Sequence, residues 1–245
     1  MAQAIERFKK YVQSARNNYA IELRDSPKYW ALSAITYGLY IDLTKEIDKK
    51  EFGSLLDAGA GGLNAKLLFI KNCQSYTSLD IENRTGEIDI VEDIQDMRSV
   101  KDRSFDTIYS SQVLEHIPSP SKAIREFKRI LKNKGVCIVS VPHLSHYHEE
   151  PNDYFRFTEH GISAILKNEG FTIENIHRQG GIVSFLTHPF SILLITSAWR
   201  IPIIKWAAFY INKYFIVIPS YLIDKLLPIS KIYPVNILIF ARRSG

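Results

Sequence analysis

A glycine-rich run directly after a short apolar segment is the part of the chain best suited to holding a ligand. It reads Leu55-Leu56-Asp57-Ala58-Gly59-Ala60-Gly61-Gly62. Glycines at a strand-to-helix turn let the backbone approach a ligand, and the N–H groups that open the helix then face it. The carboxylate of Asp57, just before the first glycine, suits a ligand that carries a positive charge. A tight turn that binds nothing is the alternative.

Two common nucleotide-binding patterns do not fit this run. A dinucleotide fingerprint needs a third glycine three residues after the second, where this chain has Asn64. A phosphate-binding loop needs Gly-Lys followed by Ser or Thr, and the sequence has no such triplet. The run therefore argues against both a dehydrogenase and a P-loop nucleotide-binding protein.

Two further acids each follow a predicted strand. Asp80 lies 23 residues after Asp57, where a carboxylate can accept two hydrogen bonds from ribose hydroxyls. Asp93 follows the next strand and could meet the exocyclic amine of an adenine. Each acid alone could be a helix cap or a solvated turn residue. Three acids, each after a successive strand, together favour a ligand that contains a nucleoside.

Strand-like and helix-like segments alternate around these residues. Strands are predicted over residues 54–57, 76–81, 87–91, 105–110, 136–141, 171–177 and 235–241. Helices are predicted over residues 4–23, 29–48 and 63–71, with two more that begin at the candidate caps Ser119 and Thr158. Such alternation is typical of a parallel, doubly wound α/β sheet.

Four segments in order resemble the motifs of class I S-adenosylmethionine-dependent methyltransferases, and they are closest to the methyltransferase type 11 group. They are residues 55–61, 78–81, 91–94 and 105–118. The last segment is the most specific, because it holds the Phe-Asp-Thr-Ile and Val-Leu-Glu-His-Ile sequences. The resemblance covers about residues 50–178. It implies a Rossmann-like sheet, mostly parallel with an antiparallel last strand, and S-adenosylmethionine as cofactor.

The same resemblance implies roles for residues at the first two motifs. Gly59 and Gly61 would carry the turn under the methionyl part of the cofactor. Asp57 would help to hold its amino group, directly or through water. Asp80 would bind the ribose, and Ile81 would lie beside the adenine.

Roles at the later motifs follow in the same way. Asp93 and Ile94 would bind and pack the base. Three residues would line the pocket at the end of the fourth strand: Ser110, Ser111 and Gln112. The family often has one more glycine, where this chain has Leu63. Its usual histidine corresponds to His116, for which we expect a structural role in closing the turn before the next helix.

The loop after the fifth predicted strand holds the candidates for the acceptor side. If the acceptor is a hydroxyl, a nearby base helps to remove its proton. His143 is the histidine nearest the strand end, where ligands bind in such sheets, and is therefore the candidate general base. An exposed polar loop without a catalytic histidine is an equal alternative. A metal site of His143, His146 and His148 is a weaker one, because no fixed scaffold supports it; we predict no metal site.

Charge and hydrophobicity are unevenly distributed along the 245 residues, which carry a net charge of +5. Residues 180–245 hold seven basic residues and one acid, Asp224. Within them, 28 of the 42 residues in 182–223 are apolar, and several are Trp or Tyr. This combination suits the headgroup layer of an anionic membrane. A buried helix pair or a dimer interface is the alternative, and the sparse basic residues argue against nucleic acid.

The sequence thus predicts four segments. They are an N-terminal helical cap (1–48), a cofactor-binding core (49–181), an apolar and basic helical insert (182–232) and a last core strand with a basic tail (233–245). We expect a methyltransferase that acts on a small or a lipid- or glycan-linked acceptor, cytoplasmic and attached peripherally or monotopically to a membrane. The alternatives are a non-catalytic cofactor-binding partner protein and a soluble small-molecule methyltransferase that dimerises through the insert.

Overall fold

The computed structural model describes residues 2–48 and 50–245. Met1 and Lys49, which open two of the predicted segments, lie outside the described residues. The chain divides into two compact units. The methyltransferase-like unit comprises residues 42–48, 50–179 and 235–245, and the helical unit comprises residues 2–41 and 180–234. Residues from the predicted cap and from the insert therefore belong to the same unit.

One seven-stranded sheet forms the centre of the methyltransferase-like unit. Its strands are β1 (Ser54–Ala58), β2 (Ser75–Asp80), β3 (Ile90–Val91), β4 (Phe105–Ser111), β5 (Leu131–Pro142), β6 (Phe171–Gln179) and β7 (Asn236–Arg243). The spatial order is β3-β2-β1-β4-β5-β7-β6. The first five strands pair in parallel, and β7 lies antiparallel between β5 and β6. The predicted mostly parallel sheet with an antiparallel last strand is confirmed.

Helices cover both faces of this sheet. They are the end of α2 (Ala34–Ile47), α3 (Lys66–Phe69), α4 (Pro120–Ile130) and α5 (Glu159–Asn168). On β7, Ile237 and Ile239 pack into the cluster that contains α4 and α5. Leu238 and Phe240 pack into the opposite cluster, with Leu43 of α2. Because a strand covered on both faces needs apolar side chains at successive positions, residues 237–241 of β7 are all apolar.

Two helices differ from the sequence prediction. The helix predicted over residues 63–71 is reduced to α3, because Leu63 has a φ of 60° and cannot belong to a right-handed helix. The helix predicted over 29–48 is divided into a 3₁₀ turn, Pro27–Leu32, and α2. Thr158 caps α5 by accepting from the Gly161 N–H at 3.0 Å, as predicted.

The helical unit contains most of the insert together with the N-terminal helices. Its helices are α1 (Ala2–Glu22), the start of α2, α6 (Ile182–Ala198), α7 (Pro202–Ile211) and α8 (Ile218–Leu226), with a π-helical stretch, Asn212–Val217, between the last two. Tyr19 of α1 packs against Ile195 of α6 and makes an edge contact with Trp199. Its hydroxyl also donates to the Ile195 carbonyl at 3.2 Å. The N-terminal helix therefore supplies part of the core under the insert.

Asp224, the one acid of residues 180–245, has a structural role in this unit. Its carboxylate accepts from the N–H groups of Val183 and Ser184 at 3.0 and 2.8 Å, and from the Ser230 hydroxyl at 2.7 Å. It therefore satisfies N–H groups in the first turn of α6, where a negative charge is favoured. Among the helices of residues 2–48 and 50–245, none combines the length and the apolar character needed to cross a membrane.

Candidate active site

The glycine-rich loop after β1 is held in place by the end of β2. The N–H groups of Gly59 and Ala60 both donate to the Leu79 carbonyl, at 2.8 and 3.0 Å. The Gly61 N–H donates to Asp80 Oδ2 at 2.8 Å. Gly59 and Gly61 have φ values of 86° and 52°, in the left-handed region that glycine tolerates best. The loop is thus a preformed turn at the carboxyl edge of the sheet.

The two glycines differ in the space around them. A Cβ on Gly59 would lie 2.3 Å from Val113 Cγ2, so any side chain there requires a shift. A Cβ on Gly61 would have no atom within 4 Å, so this part of the loop faces open space in which a ligand can lie. Leu63, where relatives often have a further glycine, keeps the left-handed backbone and buries its side chain beside Ala60 and Ile88.

Asp57 lies at the end of β1 and is buried. Its Oδ2 accepts a hydrogen bond from the Tyr76 hydroxyl, a partner that the sequence did not suggest. Burial raises the pKa of the Asp57 carboxyl to about 7, the hydrogen bond from Tyr76 lowers it, and the nearby charge of Asp80 raises it further. Its negative charge is therefore only partly developed near neutral pH until a cation approaches.

This pKa predicts a pH dependence for cofactor binding. At pH 6 the Asp57 carboxyl is mostly neutral, and at pH 8 it is mostly ionised and can attract the ammonium of the cofactor. Affinity for S-adenosylhomocysteine is thus expected to rise about tenfold from pH 6 to pH 8 and then level off. Calorimetric titrations across this range test it. In Asp57→Asn the curve should be flat, and an equally steep curve in this variant would exclude Asp57 as the titrating group.

Asp80, the last residue of β2, and Ile81, which follows it, lie at the carboxyl edge of the sheet beside the glycine-rich loop. Asp80 Oδ1 accepts from the Glu82 N–H at 3.1 Å, while its other oxygen holds Gly61. Asp80 thus organises the loop even without a ligand. Ile81 is 64% exposed, which is unusual for an isoleucine directly after a buried strand. An exposed apolar side chain beside an acid is the arrangement that an adenosine would need.

The remaining predicted cofactor residues occupy the ends of β3 and β4. Asp93 accepts from the Gln95 N–H at 2.8 Å, and Ile94 is buried in the core of the sheet. The Ser110 hydroxyl donates to the Ala58 carbonyl at 2.8 Å. Gln112 has a φ of 57°, and its Nε2 donates to Ser140 Oγ at 3.2 Å. Ser111, at the end of β4, is half-buried.

His143 follows β5, where the sequence placed the candidate base. Its N–H donates to the Val235 carbonyl at 2.7 Å, and its ring Nδ1 lies 2.8 Å from the Phe157 carbonyl. Because a carbonyl oxygen only accepts, Nδ1 carries the hydrogen and Nε2 holds the lone pair. The backbone thus fixes a half-buried imidazole in the tautomer that a general base requires.

The loop between β5 and α5, residues 143–158, is called the acceptor loop here. It also forms a groove that the sequence did not predict. Its volume is about 410 Å³, and its walls are Ser145, His146, Tyr147, Asp153, Tyr154, Phe155 and Arg156. The Arg156 guanidinium donates two hydrogen bonds to the Asp153 carboxylate, at 2.6 and 2.8 Å. Burial opposes ionisation of Asp153, but the bonds from Arg156 and from the His148 N–H outweigh it and lower the pKa to about 2. This ion pair stabilises the loop.

Glu115 is the residue that sequence reasoning missed. Its side chain is fully buried, burial raises its pKa to about 8, and neither carboxylate oxygen has a hydrogen-bond partner within the described residues. His116 donates from Nδ1 to the Asn152 carbonyl at 2.7 Å rather than only closing its own turn. In the sequence, two features could have pointed to Glu115: the adjacent Glu-His pair and the His-rich loop after β5. No local pattern shows that these two segments meet in space.

Residues 56–139, from β1 into β5, match the family model described as a methyltransferase domain. Together with the fold, this match supports a class I S-adenosylmethionine-dependent methyltransferase domain. Its cofactor is S-adenosylmethionine. The residues of the methyltransferase domain fit that group: as the resemblance implies, Asp57 would face its ammonium, Asp80 would bind its ribose and the exposed Ile81 would lie beside its base.

Solved structures share the fold of the methyltransferase domain at low identity. A methyltransferase from Mesorhizobium loti is 14% identical with a TM-score of 0.53, over 84% of this chain and 98% of that one. The Burkholderia thailandensis 1,6-didemethyltoxoflavin-N1-methyltransferase, solved with S-adenosylhomocysteine, is 15% identical with a TM-score of 0.53, over 86% and 79%. The cyclase SpnF is 18% identical with a TM-score of 0.58, over 85% and 81%. No curated protein matches the chain in sequence.

Proposed function

We propose that the methyltransferase domain acts on a small or lipid-linked acceptor at the surface of an anionic membrane. The observation that carries this proposal is the apolar surface of the helical unit. Ile203, Phe215 and Leu226 are 85%, 77% and 80% exposed. Further exposed apolar side chains of the same unit include Leu186, Phe190, Leu222 and Ile232. So many large exposed apolar side chains indicate an interaction surface.

Charge favours an anionic membrane as the partner. The helical unit has eleven basic and four acidic residues, whereas the rest of the chain has slightly more acids than bases. Lys28 lies 4.6 Å from the ring of Trp206. Lys205, 5.4 Å from the same ring, is paired with Glu22, so Lys28 is the lysine of the two that can meet a lipid phosphate. Indole rings beside lysines suit the interfacial layer, where the ring meets acyl chains and the ammonium meets phosphate. A protein partner would explain the apolar side chains but not this excess of positive charge.

The chemistry follows from the residues of the methyltransferase domain. When bound, S-adenosylmethionine supplies a methyl group activated by its sulfonium. The protein holds the acceptor near the cofactor and excludes water, so positioning provides most of the acceleration. For a hydroxyl acceptor, we propose that His143 Nε2 takes the proton while Nδ1 keeps its bond to the Phe157 carbonyl.

Membrane attachment can be tested by liposome sedimentation. The full chain should pellet with vesicles that contain anionic lipids, and high salt should weaken the binding without removing its apolar part. Phe215→Glu should lower the membrane partition coefficient at high salt by at least about tenfold, because burial of one large apolar side chain contributes about 1.5–3 kcal/mol.

The matched control is Leu67→Glu, which places a charge on an exposed apolar residue of the methyltransferase domain. This variant should pellet like the unchanged chain. Recovery of the unchanged protein in the supernatant at every salt concentration, with a stable dimer in solution, would contradict the proposal and favour an interface between two copies.

A further inference from the structure

Three side chains converge beside the acceptor loop. Glu115 follows β4, His116 is its neighbour, and His148 belongs to the loop after β5; one ligand atom of each lies within 4.8 Å of the others. Glu115 Oε1 is 3.7 Å from His116 Nε2 and 3.9 Å from His148 Nε2. These separations exceed a hydrogen bond. They match two ligand atoms that share a cation at about 2.0–2.2 Å from each.

Glu115 supplies a second, independent observation. Its side chain is completely buried, and its two oxygens have no hydrogen-bond partner within residues 2–48 and 50–245. A buried carboxylate without partners is costly, and such groups in native proteins call for a specific explanation. A bound cation would give the buried Glu115 carboxylate the partner that it lacks. The Glu115 backbone carbonyl accepts from the N–H groups of Tyr154 and Phe155, at 2.8 and 3.3 Å.

The two imidazoles are already oriented for ligation. His116 Nδ1 lies 2.7 Å from the Asn152 carbonyl, and His148 Nδ1 lies 3.0 Å from the His146 carbonyl. His148 Nδ1 also lies 3.5 Å from Arg156 Nη2, and the shorter contact to the carbonyl sets its tautomer. With hydrogen on Nδ1 in both rings, the ring lone pairs are on the Nε2 atoms, which face Glu115 Oε1. Nearly all metal-binding histidines are fixed in this way by a hydrogen bond from the other ring nitrogen.

We propose that Glu115 Oε1, His116 Nε2 and His148 Nε2 bind a divalent transition-metal cation such as Zn²⁺, Mn²⁺ or Fe²⁺. One carboxylate and two imidazoles form a donor set that these cations accept, whereas Ca²⁺ and Mg²⁺ prefer oxygen alone. Three protein ligands leave at least one coordination position open for a small molecule or water. The site shares only His148 with the His143, His146 and His148 set that the sequence analysis weighed as a weak alternative, and it stands independently of the membrane proposal.

Titration of the untagged full chain with Co²⁺, after chelator treatment, tests this site. Co²⁺ accepts the same donors and reports ligation by visible absorption. One equivalent should bind and be displaced by Zn²⁺. Glu115→Gln and His148→Ala should each weaken binding by more than tenfold while they retain S-adenosylhomocysteine binding, which shows that they fold. His160→Ala, on an exposed histidine of α5, is the control and should bind Co²⁺ normally.

A measurement on the unchanged chain avoids any effect of substitution on folding. Co²⁺ is paramagnetic, so at one equivalent it should broaden the ring signals of His116 and His148 most strongly among the seven histidines, with a weaker effect on His146, whose ring centroid lies 5.7 Å from that of His148. No uptake of Co²⁺, broadening of all histidines alike, or equal affinity in Glu115→Gln and His148→Ala would each overturn the proposal.

Discussion

Gly59→Val is expected to lower the affinity for S-adenosylhomocysteine at least a hundredfold, roughly 2.7 kcal/mol. The first side-chain atom would lie 2.3 Å from Val113 Cγ2, so the loop or Val113 must move. The backbone at a φ of 86° is also a poor conformation for a β-branched residue. Both effects displace the turn that the Leu79 carbonyl and Asp80 hold in place. Isothermal titration calorimetry measures the result.

The control is Gly86→Val, which distinguishes the effect of the clash at Gly59 on cofactor binding from the effect of backbone strain alone. Gly86 has a φ of 77°, and a Cβ there would meet no atom within 4 Å. This variant carries similar backbone strain without the clash, and it should bind S-adenosylhomocysteine within a few-fold of the unchanged chain. Equal affinity in Gly59→Val and the unchanged chain, with both folded by circular dichroism, would contradict the assignment of this loop to the cofactor.

His143→Ala is expected to lower turnover by roughly 10²–10⁴ while affinity for S-adenosylhomocysteine is unchanged. The reason is that Nε2 of this ring holds the lone pair, and the Phe157 carbonyl fixes its direction. The measurement is the rate of label transfer from methyl-labelled S-adenosylmethionine to the acceptor, with a separate cofactor titration.

His143→Asn distinguishes a base from a structural residue. An asparagine amide can still donate toward the Phe157 carbonyl, but it cannot take a proton. If His143 is the base, the Asn and Ala variants lose turnover equally. Recovery of turnover in His143→Asn would show that the bond to Phe157 matters instead, and full turnover in both variants would show that positioning alone suffices.

The fold was predictable because its determinants are local. An apolar run such as β7 signals a strand buried on both faces, and an acid or glycine at the strand end marks the carboxyl edge of the sheet. The glycine-rich run at 55–61 and the strand over 105–110 could therefore be placed before the structure was known, whereas the motif over 105–118 came from the family resemblance. The antiparallel last strand came from the resemblance alone, because no local pattern distinguishes the direction of β7.

The contacts that set the chemistry were not predictable, because they join distant residues. Nothing in the sequence pairs Asp57 with Tyr76 or brings His148 to Glu115, which depends on the path of the whole acceptor loop. Tyr19 and Ile195 are likewise 176 residues apart. Even a local rule failed at Ser119, whose side chain makes no cap hydrogen bond. Its N–H instead donates to Gln95 Oε1 at 3.1 Å.

Methyl transfer to a membrane-held acceptor is the central claim, and one measurement tests it most directly. The full chain is incubated with methyl-labelled S-adenosylmethionine and vesicles made from a membrane-lipid extract, and the organic and aqueous fractions are counted separately. We predict label in the organic fraction, lost in Gly59→Val and strongly reduced in His143→Ala. A folded chain that binds S-adenosylhomocysteine but leaves the organic fraction unlabelled, with label only in water-soluble acceptors, would contradict the account.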